Sequence, residues 1–149
     1  MSIGQHCNRN VVTVARDTPV VEAAGLMREH HVGTVLVVDQ AGDDRMPVGI
    51  VTDRDIIVEV VAAGLDPKLL KVGDIMVGHL VTIDEDAGYT ETIREMSLRG
   101  IRRIPVVSST GALVGIITAD DILHHLASPL AALSDLAGRS RRFEAMTRK

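Results

Sequence analysis

Apolar positions along this chain fall in short runs and helical stripes that come round twice. Val11-Val12-Thr13-Val14 is a β-rich run. Thr18 and Pro19 then suit the N-cap and first position of a helix. Val20, Ala23, Ala24 and Met27 follow at i, i+3, i+4 and i+7, a single apolar stripe. Residues 35–39 and 48–52 are β-branched runs joined by a turn over residues 39–46 with Gly and Asp, a hairpin signal. A second helix is predicted from about Asp53 to Gly64, a residue suited to the position just past a helix end.

The same order of strand, helix, strand, strand, helix then returns. Leu80-Val81-Thr82-Ile83 answers to the first run, and Tyr89, Thr92, Ile93 and Met96 answer to the helical stripe, all 69 positions on; Val106-Val107 answers to Val37-Val38. Gly49-Ile50-Val51-Thr52-Asp53-Arg54-Asp55-Ile56 returns as Gly115-Ile116-Ile117-Thr118-Ala119-Asp120-Asp121-Ile122, now 66 positions on (Thr52 to Thr118, Asp55 to Asp121). The offset falls because the first hairpin turn is longer than the second at residues 108–112, and surface turns are where insertions are tolerated. A self-similarity of this kind sets the architecture before any local assignment.

Composition narrows what such a repeat can be. A chain of 149 residues can bury about 68–70% of its unfolded surface. Hydrophobic residues make up 46% and aromatics 1%, so the core must be aliphatic and offers almost no ring on which a base can stack. The net charge of −4, from 16 basic and 20 acidic residues, argues against a general nucleic-acid binder. There is no apolar run long enough for a transmembrane helix and no N-terminal basic and apolar pattern of a secretory signal. Cys7 is the only cysteine, so no internal disulfide is possible. Together these predict a cytoplasmic protein without a membrane partner.

The chemistry of the repeat lies in its Thr and Asp. Each Thr ends a strand and each Asp begins the following helix, which brings both to one cleft mouth. A carboxylate accepts the two hydrogen bonds that vicinal ribose hydroxyls donate. A hydroxyl and free helix N-terminal N–H groups can receive a phosphate. The bland alternative is that Thr and Asp only cap a helix start. Both copies keep both residues while the residues between them differ (Asp53-Arg54 against Ala119-Asp120), which favours a shared role. Positive charge is concentrated at Arg99-Gly100-Ile101-Arg102-Arg103; the first copy has His30-His31-Val32-Gly33-Thr34 there and no arginine, so unequal sites are expected. Those arginines can alternatively pair with surface acids such as Glu29 or Asp39. No activated nucleophile and no carboxylate pair with an acid/base role is evident, so a binding module is expected rather than an enzyme.

A tandem β-α-β-β-α unit ending in Gly, two apolar residues, Thr and then Asp resembles a pair of CBS domains, a Bateman module. Ile104-Pro105-Val106-Val107 and Gly73-Asp74-Ile75-Met76 share the likeness. The resemblance implies an α/β (α+β) fold of two repeats packed about a pseudo-twofold axis, with an added C-terminal helix. It implies that Asp55 and Asp121 hold ribose, that Thr52 and Thr118 sit near phosphate, and that Val12, Val32 and Gly33 in one cleft and Val81 and Ile101 in the other wall the base. It also implies that Arg103, then Arg102, reaches phosphates across the axis. The expected ligand is an adenosyl nucleotide (AMP, ADP, ATP or S-adenosylmethionine) acting as regulator, with no required cofactor, bound at micromolar affinity, about −8 kcal/mol. A homodimer that signals to an effector protein is expected.

Along the chain, repeat 1 is assigned to residues 1–65, repeat 2 with its connector to 66–127, and a basic amphipathic helix to 128–149. Asp66-Pro67 looks like the start of a short turn in a structured connector. Ser128-Pro129 looks like a helix start, with Leu130, Leu133 and Ala137 as its stripe, and Arg139, Arg141, Arg142, Arg148 and Lys149 supply the basic tail. His30-His31 is taken as a helix C-terminal cap, since neighbours on a helix diverge too far to chelate one ion. By alignment Cys7 corresponds to Met76 and is taken as a small apolar residue near a cleft edge. Three rivals stand beside the sensor reading: a ligand-independent interaction scaffold, a metal or redox sensor using His6, Cys7, His30 and His31, and nucleic-acid binding through the tail.

Overall fold

Each repeat builds one three-stranded sheet, and in the computed structural model, which describes residues 2–147, the two sheets have the same plan. In the first, β1 (Thr13–Val14) pairs in parallel with β2 (Thr34–Ala41), which pairs antiparallel with β3 (Asp44–Thr52). In the second, β4 (Ile83–Asp84), β5 (Arg103–Val107) and β6 (Leu113–Thr118) do the same. The parallel crossovers are carried by α1 (Val20–His30) and α4 (Tyr89–Arg99). Strand β3 runs into α2 (Asp53–Ile56), continued by a π-helical turn (Ile57–Val61), and β6 runs into α5 (Ala119–Thr147). A short α3 (Val72–Ile75) precedes the second repeat. Strands β3 and β6 lie against each other where the repeats meet about their pseudo-twofold axis. No described helix is long and apolar enough to cross a membrane.

The apolar stripes face inward as the periodicity requires. Val20, Ala23 and Met27 are buried on α1, and Thr92 and Met96 on α4. Buried Thr92 meets its polar demand within the helix, donating from Oγ1 to the Gly88 carbonyl at 2.9 Å. A β-bulge falls at the same place in both hairpins, between Val37 and Val38 and between Val106 and Val107. In the first hairpin the bulge seats Pro47 opposite Val38, where a residue without an N–H is tolerated.

Three local expectations are corrected. The first hairpin turn is not eight residues long: β2 continues to Ala41 and β3 begins at Asp44, with Gly42 at φ +64° between them, so the extra length of the first copy extends its strands. Thr18 does not cap α1. Pro19 holds that position, and the Thr18 hydroxyl turns back to accept from the Ala15 N–H at 3.2 Å. Ser128-Pro129 does not start a helix, because α5 is continuous from Ala119 with Pro129 inside it. A proline disturbs only the turn before it, and that turn is anchored by Leu126 against the second core. Gly64, at φ +69°, does end the second helical stretch, and Asp66 caps its turn by accepting from the Lys68 N–H at 2.9 Å. Arg148 and Lys149 lie outside the described residues.

The two repeats exchange their leading segments. The first core holds Val14, Ala23, Met27, Val35, Val37 and Val51 together with Val72, which precedes the second repeat. The second core holds Ile83, Met96, Ile104, Val106, Ile117 and Ile122 together with Ile3, which precedes the first. Ile3 and Gly4 donate backbone bonds to the carbonyls of Ala87 and Glu85, and Asn8 and Ile116 exchange a pair at 2.9 Å. Val77 forms an antiparallel bridge with Ile50, donating to its carbonyl at 3.1 Å. Met76 accordingly lies over Gly49 of the first sheet, and Cys7 over Gly115 of the second.

Candidate functional site

The turn from β3 into α2 is closed by Thr52 and Asp55. The Thr52 hydroxyl oxygen accepts from the Asp55 N–H at 3.2 Å, and Asp55 Oδ2 accepts from the Thr52 N–H at 2.7 Å. Thr118 and Asp121 form the same box at the start of α5, at 3.1 and 2.9 Å. Each box occupies only Oδ2 of its carboxylate and leaves Oδ1 to accept from another group. The copies differ in one hydrogen bond. Thr118 donates its hydroxyl to Asp121 Oδ2 at 2.6 Å, whereas the Thr52 hydroxyl makes no such bond and is available to donate.

The first of these turns opens on a composite cleft of about 500 Å³. The first repeat contributes Ile50, Thr52, Arg54 and Asp55; the second contributes Val81, Ile101, Arg102 and Arg103. Six of the residues singled out from sequence are thus brought together across the pseudo-twofold axis. Arg103 donates to the Thr34 hydroxyl of the first repeat. Arg102 pairs with Asp120 at 2.9 Å, both side chains being exposed. That pair is the surface-acid alternative realised for Arg102, though not with Asp39, which holds Arg16 at 2.9 Å, lowering the Asp39 pKa and raising that of Arg16.

The other predicted wall residues are placed differently. Val12 lines a separate hollow of about 580 Å³ with Asn10, Val11, Thr13, Leu26 and His30, and neither Thr118 nor Asp121 lines it. Val32 and Gly33 follow the end of α1. The Val32 N–H bonds the Met27 carbonyl, and the Gly33 carbonyl accepts from the Asp53 N–H. Two basic cleft residues were missed from sequence, Arg54 and His79. Arg54 sits inside the repeated motif, and its replacement by Asp120 in the second copy marks it as a charge the copies do not share.

The His and Cys residues proposed for a metal are dispersed by the fold. His6 packs its ring on His125 at 4.6 Å and on Tyr89 at 5.6 Å, while His31 is the left-handed C-cap of α1. Among the described residues, no group of three or more His, Cys, Asp or Glu is arranged to hold a metal ion. Burial raises the pKa of the Cys7 thiol, with Arg9 opposing it, and burial also raises that of Tyr89.

A donor hydroxyl, a half-used carboxylate, an apolar wall and three guanidiniums suit a ligand with a diol and an anionic group. Comparison with known proteins gives the context. A family model for the CBS domain matches twice, over residues 3–62 and 72–128. The chain belongs to the CBS-domain family. Hypoxic response protein 1 of Mycobacterium tuberculosis is 37% identical over 119 residues, covering 80% of both chains. A solved structure of Hypoxic Response Protein I, with two coordinated zinc ions, superposes with a TM-score of 0.73 at 34% identity, over 84% of this chain and 98% of that one. An uncharacterized protein of Methanopyrus kandleri is 38% identical over 123 residues, and the match spans 83% of this chain and 61% of that protein. The CBS domain pair of protein MJ0100, solved with 5′-methylthioadenosine and S-adenosyl-L-methionine, superposes with a TM-score of 0.73 at 26% identity, over 87% of this chain and 98% of that one. The two family matches fall on the two copies given by the offset.

Proposed function

We propose that this CBS pair is a regulatory sensor that binds an adenosyl nucleotide in the Thr52–Asp55 cleft and passes a conformational change to an effector protein. One observation carries the reading: Thr52 and Asp55 share a cleft with Val81, Ile101, Arg102 and Arg103 of the other repeat. Asp55 Oδ1 takes the ribose diol, Val81 and Ile101 wall the base, and Thr52 with the arginines receives the anionic group. The adenosyl ligands of the MJ0100 pair support the ligand class. Because the ligand touches both repeats, it stabilises the arrangement of repeats that fits it, and coupling needs only that difference in affinity. Self-association into a homodimer is part of this reading.

A second reading rests on the capping boxes themselves. Both Thr/Asp pairs have a full structural role without ligand, as a scaffold module requires. Thermal unfolding with AMP, ADP, ATP and S-adenosylmethionine separates the two. Ligand at 100 times Kd adds about 2.7 kcal/mol. The gain should vanish in Asp55→Asn, which keeps a capping oxygen but loses the charged acceptor, and persist in Asp121→Asn. A well-folded protein with no shift from any ligand establishes the scaffold reading.

A further inference from the structure

Arg54 stands between Thr52 and Asp55 in the first turn, and Asp120 holds the matching place 66 positions on. The exchange reverses a charge inside an otherwise repeated motif. Two more exchanges act in the same sense: Gly33 and Thr34 of the first copy answer to Arg102 and Arg103 of the second, 69 positions on. The pseudo-twofold axis gathers all three arginines at the Thr52–Asp55 cleft. By the same symmetry, the matching places around the Thr118–Asp121 turn are held by Asp120, Gly33 and Thr34, with no cation among them.

The three arginines are not equally compensated. Arg102 pairs with Asp120 at 2.9 Å. Arg103 bonds the neutral hydroxyl of Thr34. Arg54 is exposed, and among the described residues its guanidinium has no hydrogen-bond or ion-pair partner; only its backbone N–H is used, donating to Asp53 Oδ1 at 2.8 Å. The nearby carboxylates are turned elsewhere. Asp53 lies over Gly33, its Oδ2 3.0 Å from where a Cβ would stand, and Asp55 Oδ2 is taken by the Thr52 N–H. The cleft thus holds two cations without an anionic partner, Arg54 from the first repeat and Arg103 from the second. A phosphate monoester carries a charge of about −1.5 to −2 at pH 7, and guanidiniums bind it through paired hydrogen bonds.

We propose that Arg54 is the specificity-determining residue of this cleft, setting it to take one 5′-phosphorylated adenine nucleotide per chain and to refuse an adenosyl ligand with a cationic sulfonium. The inference rests on the cleft reading given above. Ribose and base are common to both kinds of ligand, so Asp55, Val81 and Ile101 do not separate them. Only the 5′ group differs. The amino and carboxylate charges of S-adenosylmethionine cancel, which leaves its sulfonium facing two uncompensated guanidiniums. A phosphate at the same place is attracted by both.

Calorimetric titration of the full chain with AMP, 5′-methylthioadenosine and S-adenosylmethionine tests this. AMP should bind with a stoichiometry of one per chain, about 10- to 100-fold more tightly than neutral 5′-methylthioadenosine, and S-adenosylmethionine should bind most weakly. Arg54→Gln should lower the ratio of AMP to 5′-methylthioadenosine affinity by about tenfold. Arg54→Asp, which installs the residue of the second copy, should reverse the order of AMP and S-adenosylmethionine. Urea midpoints of both ligand-free variants should match that of the parent, because an exposed and unpaired side chain contributes little to folding. An unchanged ratio in Arg54→Gln overturns the role of Arg54, and two AMP per chain overturns the restriction to one cleft. S-adenosylmethionine bound as tightly as AMP, and lost in Asp55→Asn, overturns the inference and leaves the cleft reading standing. A folded protein that binds none of the three ligands overturns both.

Discussion

Arg103 donates a hydrogen bond to the hydroxyl of Thr34, and the two residues hold the same place in the two repeats, 69 positions apart. Equivalent residues meet only on the axis that relates their repeats, so this bond marks that axis. Arg103 also lines the composite cleft. An anionic ligand there competes with Thr34 for one guanidinium, which links occupancy to a contact between repeats. A charge-assisted hydrogen bond contributes about 1.5–3 kcal/mol. Arg103→Ala should therefore weaken AMP binding at least about tenfold and leave uncharged 5′-methylthioadenosine nearly unaffected. Thr34→Val, which removes the competitor, should tighten AMP. Calorimetric titration of the two ligands checks this, and equal losses for both would assign Arg103 a structural role only.

His31 and Gly100 close α1 and α4 in the same left-handed conformation, at φ 53° and φ 63°. A side chain there costs about 1–2 kcal/mol, partly offset by the greater flexibility of glycine in the unfolded chain. His31→Gly should stabilise the protein by about 0.5–1 kcal/mol. Gly100→Ala should cost about 1 kcal/mol for backbone reasons alone, since an added Cβ at Gly100 meets nothing within 4 Å. Urea denaturation midpoints of both variants give the signs directly.

The repeat, the hairpins and the Thr/Asp turns were legible because each is set by residues close in sequence: apolar periodicity, a turn glycine, a cap. The exchange of leading segments was not. Ile3 and Val72 are apolar residues in short connecting stretches, and nothing local says that each completes the core of the other repeat. Pro129 misled for a physical reason, since proline suits a first helical turn and an anchored helix equally. Arg102 and Arg103 were found by their charge density, but the acid that holds Arg102, Asp120, lies in the motif's variable positions. His79 carried no signal, because it precedes a strand and reaches the cleft only through the packing of the two repeats.

Cys7 gives a pH dependence with a definite sign. Burial pushes its thiol above the ordinary value of 9.0, with Arg9 opposing and Glu85 assisting. The folded state thus holds the proton more tightly than the unfolded state. The associated stability is fully present below pH 9.0 and is lost as pH rises through the folded value. Urea midpoints should fall as pH rises above about 9, and a Tyr89→Phe background removes the second raised group from that range. Cys7→Ser should flatten that fall. Iodoacetamide should also alkylate the native thiol more slowly than the urea-unfolded one at pH 8, because less thiolate is present.

Gly49 and Gly115 occupy matching positions yet should tolerate a methyl group very differently. A Cβ at Gly115 would lie 2.6 Å from the Asn8 carbonyl oxygen and 2.7 Å from Cys7 Sγ. The carbonyl belongs to backbone fixed by two bonds between Asn8 and Ile116, so it cannot yield without loosening the N-terminal segment from the second sheet. The three atoms nearest a Cβ at Gly49 all belong to the Met76 side chain, with Sδ closest at 2.5 Å, and a thioether can change rotamer. Gly115→Ala should therefore cost about 2–3 kcal/mol and Gly49→Ala about 1 kcal/mol or less. In Gly115→Ala the lost contact should also appear as faster amide exchange at Asn8 and Ile116, with the exchange of Val51 unchanged. Equal destabilisation of the two variants, or unaltered exchange at Asn8, would mean that the N-terminal segment is not clamped on the second sheet as the Ile3 and Asn8 contacts require.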